Sequence, residues 1–308
     1  MLIEDKAVGL RGAGFHDLIS VMAGGSDATD RVMRWIETHP WGEDLDAQAA
    51  TLLAPIARPP KIICVGLNYR DHAAESGMAI PEAPTIFAKF STAVIGPRQP
   101  IVLPRNSTRP DYEAELAVAI GKGGRHIAAE RWQEHVFGYT ILNDVSARDF
   151  QLATSQWTIG KTFDTFAPIG PAIVTADEIA DPHNLRISLE LNGAVMQDSN
   201  TSNLIFKIPQ LIEYLSSVFT LETGDIIATS AKIAPCRSAK AARSRFRPAE
   251  LVLRSAQTPP GLSAPIPARM ASEASAALLT LRTSSLAETA SASSRQSMTP
   301  DGASTAGS

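Results

Sequence analysis

Between residues 61 and 230 the chain carries seven short apolar runs: "KIICVG", "TIFAKF", "ELAVAI", "GYTILND", "GPAIVT", "RISLELNG" and "DIIATS". Glycine, proline and asparagine punctuate them, and runs of this length rich in Val, Ile, Phe and Tyr between such breakers read as strands. Helical periodicity interrupts at "AAERWQEHV" and, after Pro209, at "QLIEYLSSVF". Strands and helices therefore do not alternate regularly, and no Gly-rich phosphate loop follows the first strand. That disfavours a doubly wound nucleotide fold. The expectation is an α+β domain dominated by β-structure.

The flanks differ in kind. Residues 1–60 mix short apolar patches with the helical pattern "DATDRVMRWIETH", whose Val32, Trp35 and Ile36 share a face. They end in "LLAPIARPPK", where the prolines exclude helix and mark a linker, so 1–60 reads as a small N-terminal domain and linker. Residues 231–308 are rich in Ala, Ser, Pro and Thr, use Arg far more than Lys, and have Phe246 as their one aromatic. Such a segment cannot bury enough apolar area to offset its ordering entropy, and the expectation is a disordered tail, with "ASEASAALLTLRT" at most transiently helical. A net charge of -4 gives no case for nucleic acid or an anionic membrane as partner. No stretch approaches the ~18 apolar residues of a membrane span, and "MLIEDKAVGLRGAG" lacks a signal-peptide core, so the chain reads as soluble and cytoplasmic. Cys64, inside "KIICVG", reads as a buried small hydrophobe rather than half of a disulfide with Cys236.

Within "RPDYEAELAVAI" a strand would turn Glu113 and Glu115 to one face, about 7 Å apart. One reading is an amphipathic strand with a wet side. Against it, that face continues as Ala117 and Ala119, and like charges so spaced repel. Buried carboxylates must be paired, protonated or bound to metal. Asp144, which ends the apolar run "GYTILND", is a third candidate. Three carboxylates without Cys or His nearby suit a hard, oxygen-preferring ion such as Mg²⁺ or Mn²⁺.

Two further constellations carry chemistry. In "GLNYRDHAAESG", a short helix capped by Asn68 would put His72 and Glu75 on one face, where the carboxylate can orient a neutral imidazole as a base; a chance pair on a surface helix is the plainer alternative. In "WTIGKTFDTFAPIGP", Lys161 stands among apolar residues and needs an anionic partner, either Asp164 or developing charge on a substrate. His126, His135 and His183 read as surface or turn residues.

Together these motifs resemble the fumarylacetoacetate hydrolase family. The likeness runs in one order through "KIICVGLNYRDHAAE", "PTIFAKFSTAVIGP", "DYEAELAVAIGK", "GYTILNDVSARDFQ", "WTIGKTFDTFAPIGP", "LNGAVMQDSNTSNLIFKIPQLIEYLS" and "LETGDIIATS", across residues 61–230. It implies a β-rich fold of rolled mixed sheets, a homodimer and a Mg²⁺ or Mn²⁺ site. Residue by residue it assigns Glu113, Glu115 and Asp144 as metal ligands, His72 and Glu75 as a catalytic pair on a segment that closes over the ligand, and Lys161 as a substrate-facing lysine.

The resemblance also implies an activity. The expected reaction is hydrolysis of a C–C bond in an acylpyruvate-like 2,4-dioxo acid: His72, oriented by Glu75, activates water, and the metal and Lys161 stabilise a pyruvate-type enolate. The same site serves isomerisation or hydration of unsaturated 2-oxo diacids in aromatic catabolism, and oxaloacetate decarboxylation. After "GDIIAT" the chain departs from the family. Ser230, Ala231 and Lys232 stand where Gly, Thr and Pro are expected, and no closing strands are evident, as after a reading-frame shift. An inactive metal-binding remnant is therefore a further alternative.

Overall fold

All seven apolar runs form strands in the computed structural model, which describes residues 2–3, 6–7, 9–39, 51–231 and 250–255. Ahead of them lie a ribbon of β1 (Leu2–Ile3) and β2 (Lys6–Ala7) and two helices, α1 (Leu18–Ala23) and α2 (Gly25–Thr38). Asp17 caps α1, its side chain accepting from Ser20 N at 2.8 Å. Val32 of α2 is fully buried against Phe15, Val21 and Ala28, with Ile36 beside it, which is the face the periodicity predicts. Residues 51–61 form neither helix nor strand, as their prolines require.

The strands that follow are β3 (Ile62–Gly66), β4 (Thr85–Lys89), β5 (Val94–Ile95), β6 (Pro110–Asp111), β7 (Ala114–Ile120) and β8 (Val136–Asn143). Next come β9 (Ser146–Ala147), β10 (Ala167–Thr175), β11 (Leu185–Leu191), β12 (Ala194–Asn200) and β13 (Ile226–Ala228). Among them are four α-helices: α3 (Arg70–Ser76), α4 (Arg148–Gln151), α5 (Thr158–Lys161) and α6 (Ile208–Val218). Seven strands make one sheet in the order β4-β3-β13-β7-β8-β10-β5. The β13–β3 and β10–β5 pairs are parallel and the rest antiparallel, so the sheet is mixed.

Both faces of the central strand β7 are buried, and its alternation sorts two cores. Ala117 and Ala119 pack with Ile62, Cys64, Leu142 and Ile226, and Met22, Ala54 and Ile56 join them from the N-terminal segment. Leu116, Val118 and Ile120 face the other way, onto Ile208, Ile212 and Leu215 of α6. Each fully buried aliphatic side chain of this kind contributes about 1.5–3 kcal/mol. Pro209 in the first turn of α6 removes only an N–H that the helix leaves unpaired anyway. Cys64 is buried and free, as expected; Cys236 lies outside the described residues.

The helical pattern "AAERWQEHV" takes the form of a 3₁₀ helix, Ala129–His135; Ala128 at its start offers no capping oxygen and the segment is short. One expectation needs correction. A strand follows residue 230: β14 (Glu250–Ser255) pairs antiparallel with β11, completing a three-stranded sheet, β12-β11-β14. "ELVLRS" is a compact β-favouring run, which the Ala/Ser/Pro-rich average of its surroundings conceals. Residues 232–249 and 256–308, the rest of the expected tail, lie outside the described residues. Among the described residues no helix is long and apolar enough to cross a membrane.

Candidate metal centre

Strand pairing assembles the acids. Ala114 lies opposite Asn143 and Glu115 opposite Leu142, so Glu113, just before β7, meets Asp144, just after β8. Asp144 N donates to the Glu113 carbonyl at 2.8 Å, and Glu113 N donates to Asn143 Oδ1 at 3.0 Å. One ligand oxygen from each of Glu113, Glu115 and Asp144 can be chosen so that all three lie within 4.8 Å of one another. Glu115 and Asp144 are completely buried and Glu113 nearly so. The wet-strand alternative is thereby excluded, because the same face runs into apolar core at Ala117 and Ala119.

Three cations surround this trio. Lys161 Nζ donates at 2.8 Å both to Glu113 Oε1 and to Asp144 Oδ2. Lys89 Nζ reaches Asp144 Oδ1 at 2.6 Å. Arg148 pairs with Glu113 Oε1 at 2.5 Å and donates through Nε to Asp111 Oδ2 at 2.9 Å. Glu115 is treated differently. Its Oε2 accepts from Ser230 N at 2.8 Å, and its buried Oε1 has no hydrogen-bond partner among the described residues.

The electrostatics follow from this distribution. Burial opposes ionisation of Glu113, but the charges of Lys161 and Arg148 outweigh it and hold the carboxyl down at about 2. Glu115 goes the other way: burial first, then the Asp144 and Glu113 charges, push it well above the ordinary carboxylate range. Burial also works against the Lys161 ammonium, and Asp144 and Glu113 overcome it, raising its pKa. An unpartnered buried carboxylate oxygen beside two more carboxylates is a donor set that fits a hard divalent ion. Glu113, Glu115 and Asp144 would hold it.

Local sequence explains the placement of Lys161. It ends α5, and a Cβ on Gly160 would come within 2.3 Å of Gln151 N, so only glycine lets α5 close on α4 and bring the lysine inward. The partners of Lys161 are Glu113 and Asp144; Asp164 is exposed. His72 and Glu75 lie on α3, His72 half-buried and Glu75 exposed. Asn68 does not cap that helix, whose N-cap is Tyr69. The Asn68 side chain instead donates to the carbonyls of Phe206 (3.0 Å) and Thr229 (3.1 Å), and its Oδ1 accepts from Phe206 N at 2.6 Å. The root of α3 is thereby tied to the end of β13, where Ser230 meets Glu115.

The three histidines set aside in the sequence are not drawn into the trio. His126 is exposed; His135 is buried against the Lys122 carbonyl at 2.7 Å; His183 lies in a turn with its Nε2 accepting from Ile208 N at 3.3 Å. Sequence reasoning missed Lys89, Arg148 and Ser230. A signal existed for Lys89, a lone ammonium inside the apolar run "TIFAKF", which is the argument that found Lys161.

A family profile described as "Fumarylacetoacetate (FAA) hydrolase C-terminal" matches residues 61–251. Oxaloacetate tautomerase FAHD2A, mitochondrial, of Bos taurus is 51% identical over 187 residues, which make up 60% of each chain. The present chain thus spans about 60% of the length of the curated relatives it matches. Among solved structures, a 5-carboxymethyl-2-hydroxymuconate delta-isomerase from Mycobacterium smegmatis is 46% identical, with 60% of this chain and 72% of that one covered and a TM-score of 0.55. A maleylpyruvate hydrolase from Sphingobium sp. SYK-6, in complex with manganese(II) and pyruvate, is 31% identical, with 76% and 86% covered and a TM-score of 0.64.

Proposed function

The chain belongs to the fumarylacetoacetate hydrolase family, with its curled mixed sheet and helices, and from that premise we propose that it catalyses metal-assisted enolisation of a 2-oxo acid. The reaction would interconvert keto and enol forms, or shift a double bond, in a 2-oxo dicarboxylate of the oxaloacetate class. The observation that carries this reading is the buried trio with one unpartnered oxygen, flanked by a buried ammonium. Relatives named as a tautomerase and an isomerase support it over the hydrolysis that the sequence alone puts first.

Glu113, Glu115 and Asp144 would hold a divalent ion, which would supply Lewis-acid chemistry toward the 2-oxo acid. Lys161, fixed by two carboxylates at 2.8 Å, keeps a positive charge where negative charge develops on the keto oxygen. Holding the ammonium in place beforehand removes the reorganisation that water would need. His72 would take the proton from the carbon next to the keto carbon and hand it to the enolate oxygen, or to the far carbon where a double bond shifts, ending neutral as it began, a role an imidazole fills near neutral pH. Glu75, three residues on, orients that ring. Enolisation needs one proton acceptor and one fixed cation, and no attacking water.

A second reading, C–C hydrolysis of an acylpyruvate, is favoured by the likeness to the maleylpyruvate hydrolase. There His72 would take its proton from water instead. Protein stripped with EDTA and reloaded with Mn²⁺ should speed the ketonisation of enol-oxaloacetate, followed by ultraviolet absorbance, and should release pyruvate from acylpyruvates far more slowly. Pyruvate release as the faster reaction would promote hydrolysis. No metal-dependent rate with either substrate would remove both readings.

A further inference from the structure

Lys89 closes β4, opposite Ile62 in the sheet, and its side chain is wholly buried. An ammonium has three hydrogens to place. Lys89 Nζ has three acceptors: Asp144 Oδ1 at 2.6 Å, the Val145 carbonyl at 3.1 Å, and the Lys161 carbonyl. Two belong to the turn after β8, and the third is the last carbonyl of α5. The ammonium is saturated by the protein, so it has no donor left for a ligand.

Neutralising Asp144 does not account for this arrangement. Lys161 already pairs with the other oxygen of that carboxylate, Oδ2, at 2.8 Å. Two of the three bonds go to main-chain carbonyls, which charge balance does not require. What the three bonds do together is fix a distance. They hold the Asp144 carboxylate against rotation and tie it to the backbone of the residue whose side chain pairs with it.

We propose that Lys89 is a positioning residue for the metal centre, setting the orientation of Asp144 and the place of Lys161 relative to it. This rests on the reading of Glu113, Glu115 and Asp144 as a divalent-metal site. Groups that orient metal ligands from behind typically change metal affinity about 10–100-fold when lost. The fixed tripod makes Lys89 such a group, and its effect should be read in the metal and not in the fold alone.

The test uses the full chain, as wild type, Lys89→Met and Lys89→Arg, with Mn²⁺ titrated calorimetrically and the bound ion examined by electron paramagnetic resonance. Circular dichroism first establishes that each variant is folded without metal. Wild type should bind one Mn²⁺. Lys89→Met should bind it about 10–100-fold more weakly, with a broadened spectrum; Lys89→Arg, which keeps charge and donors, should recover part of the affinity. Absence of Mn²⁺ binding in the wild type would overturn the metal reading and this proposal with it. Wild-type affinity and spectrum in folded Lys89→Met would overturn the positioning role alone. Should Lys89→Met not fold, Lys89→Arg decides: a shifted spectrum supports the role, and one identical to wild type overturns it.

Discussion

Glu113, Glu115 and Asp144 sit at one end of two paired strands, β7 being buried along its whole length, whereas His72 and Glu75 ride on a seven-residue helix outside the sheet. The acids are held by a strand register, by main-chain hydrogen bonds, by two buried lysines and by the partly buried Arg148. Helix α3 is shorter than the ~12–15 residues at which even good helices persist alone. Its place depends on a few anchors: Arg70 donating to the Leu204 carbonyl at 2.7 Å, Ser199 donating to Asp71 at 2.7 Å, and the Asn68 contacts. The contrast suits a division of labour. A cation must meet fixed ligands, while a group that shuttles a proton gains from lying on an element that can adjust over whatever is bound.

The contrast can be broken at its strongest point first. Glu115→Ala removes the acid with the unpartnered oxygen, and calorimetry with Mn²⁺ should then show no binding; retained binding would move the ion away from this end of the sheet. His72→Ala is next. It should lower kcat by about 10²–10⁴ while the Mn²⁺ affinity stays at the wild-type value, and a parallel loss of metal would mean that α3 is not separable from the acids. Lys161→Met leaves Glu113 and Asp144 under-compensated in a buried site. Denaturant titration should find it less stable by about 3 kcal/mol, the low end for breaking a buried pair because Arg148 and Lys89 remain.

The smallest effect sharpens the comparison most, because Ser230 touches both halves. Its N–H serves Glu115 and its Oγ accepts from Asn68 N at 3.2 Å. It sits at φ 82°, a region that suits glycine. Ser230→Ala keeps the strained backbone and loses the Oγ contact, whereas Ser230→Gly loses the contact and relieves the strain. The glycine variant should therefore be the more stable of the two by about 1 kcal/mol, measured by thermal melts. Equal stabilities would show that the positive φ costs nothing here.

Much of this was legible in the sequence, and what was not has identifiable causes. The seven strands announced themselves through β-favouring runs cut by glycine and proline. Glu113 and Glu115 were visible because like charges on one face of an apolar strand need a reason, and Lys161 because an ammonium among aromatics needs a partner. Its partners are not legible there: the sequence offers Asp164 or charge on a substrate, whereas strand pairing brings Glu113 and Asp144 to it. Arg148 and Asp111 lie on a short helix and a two-residue strand, too small to show a period. Local sequence makes Asn68 a helix cap, yet tertiary contacts with Phe206 and Thr229 take its side chain. β14 was hidden by averaging over a biased segment.

Strand β13 has only three residues, Ile226–Ala228, yet it stands between β3 and β7. Ile226 pairs with Ile62 on one side and with Ala119 on the other. During synthesis, β3 and β4 emerge early and β7, β8 and β10 follow, but the two groups cannot join until this late piece arrives. Closing so long a loop makes assembly slow, and until then two sheet edges stand open to other chains. A ribosome that stops short of codon 226 would release a chain whose two strand groups share no pairing. Glu115 would then be left without the Ser230 amide that meets it, so the step that joins the sheet also completes the surroundings of the acid trio.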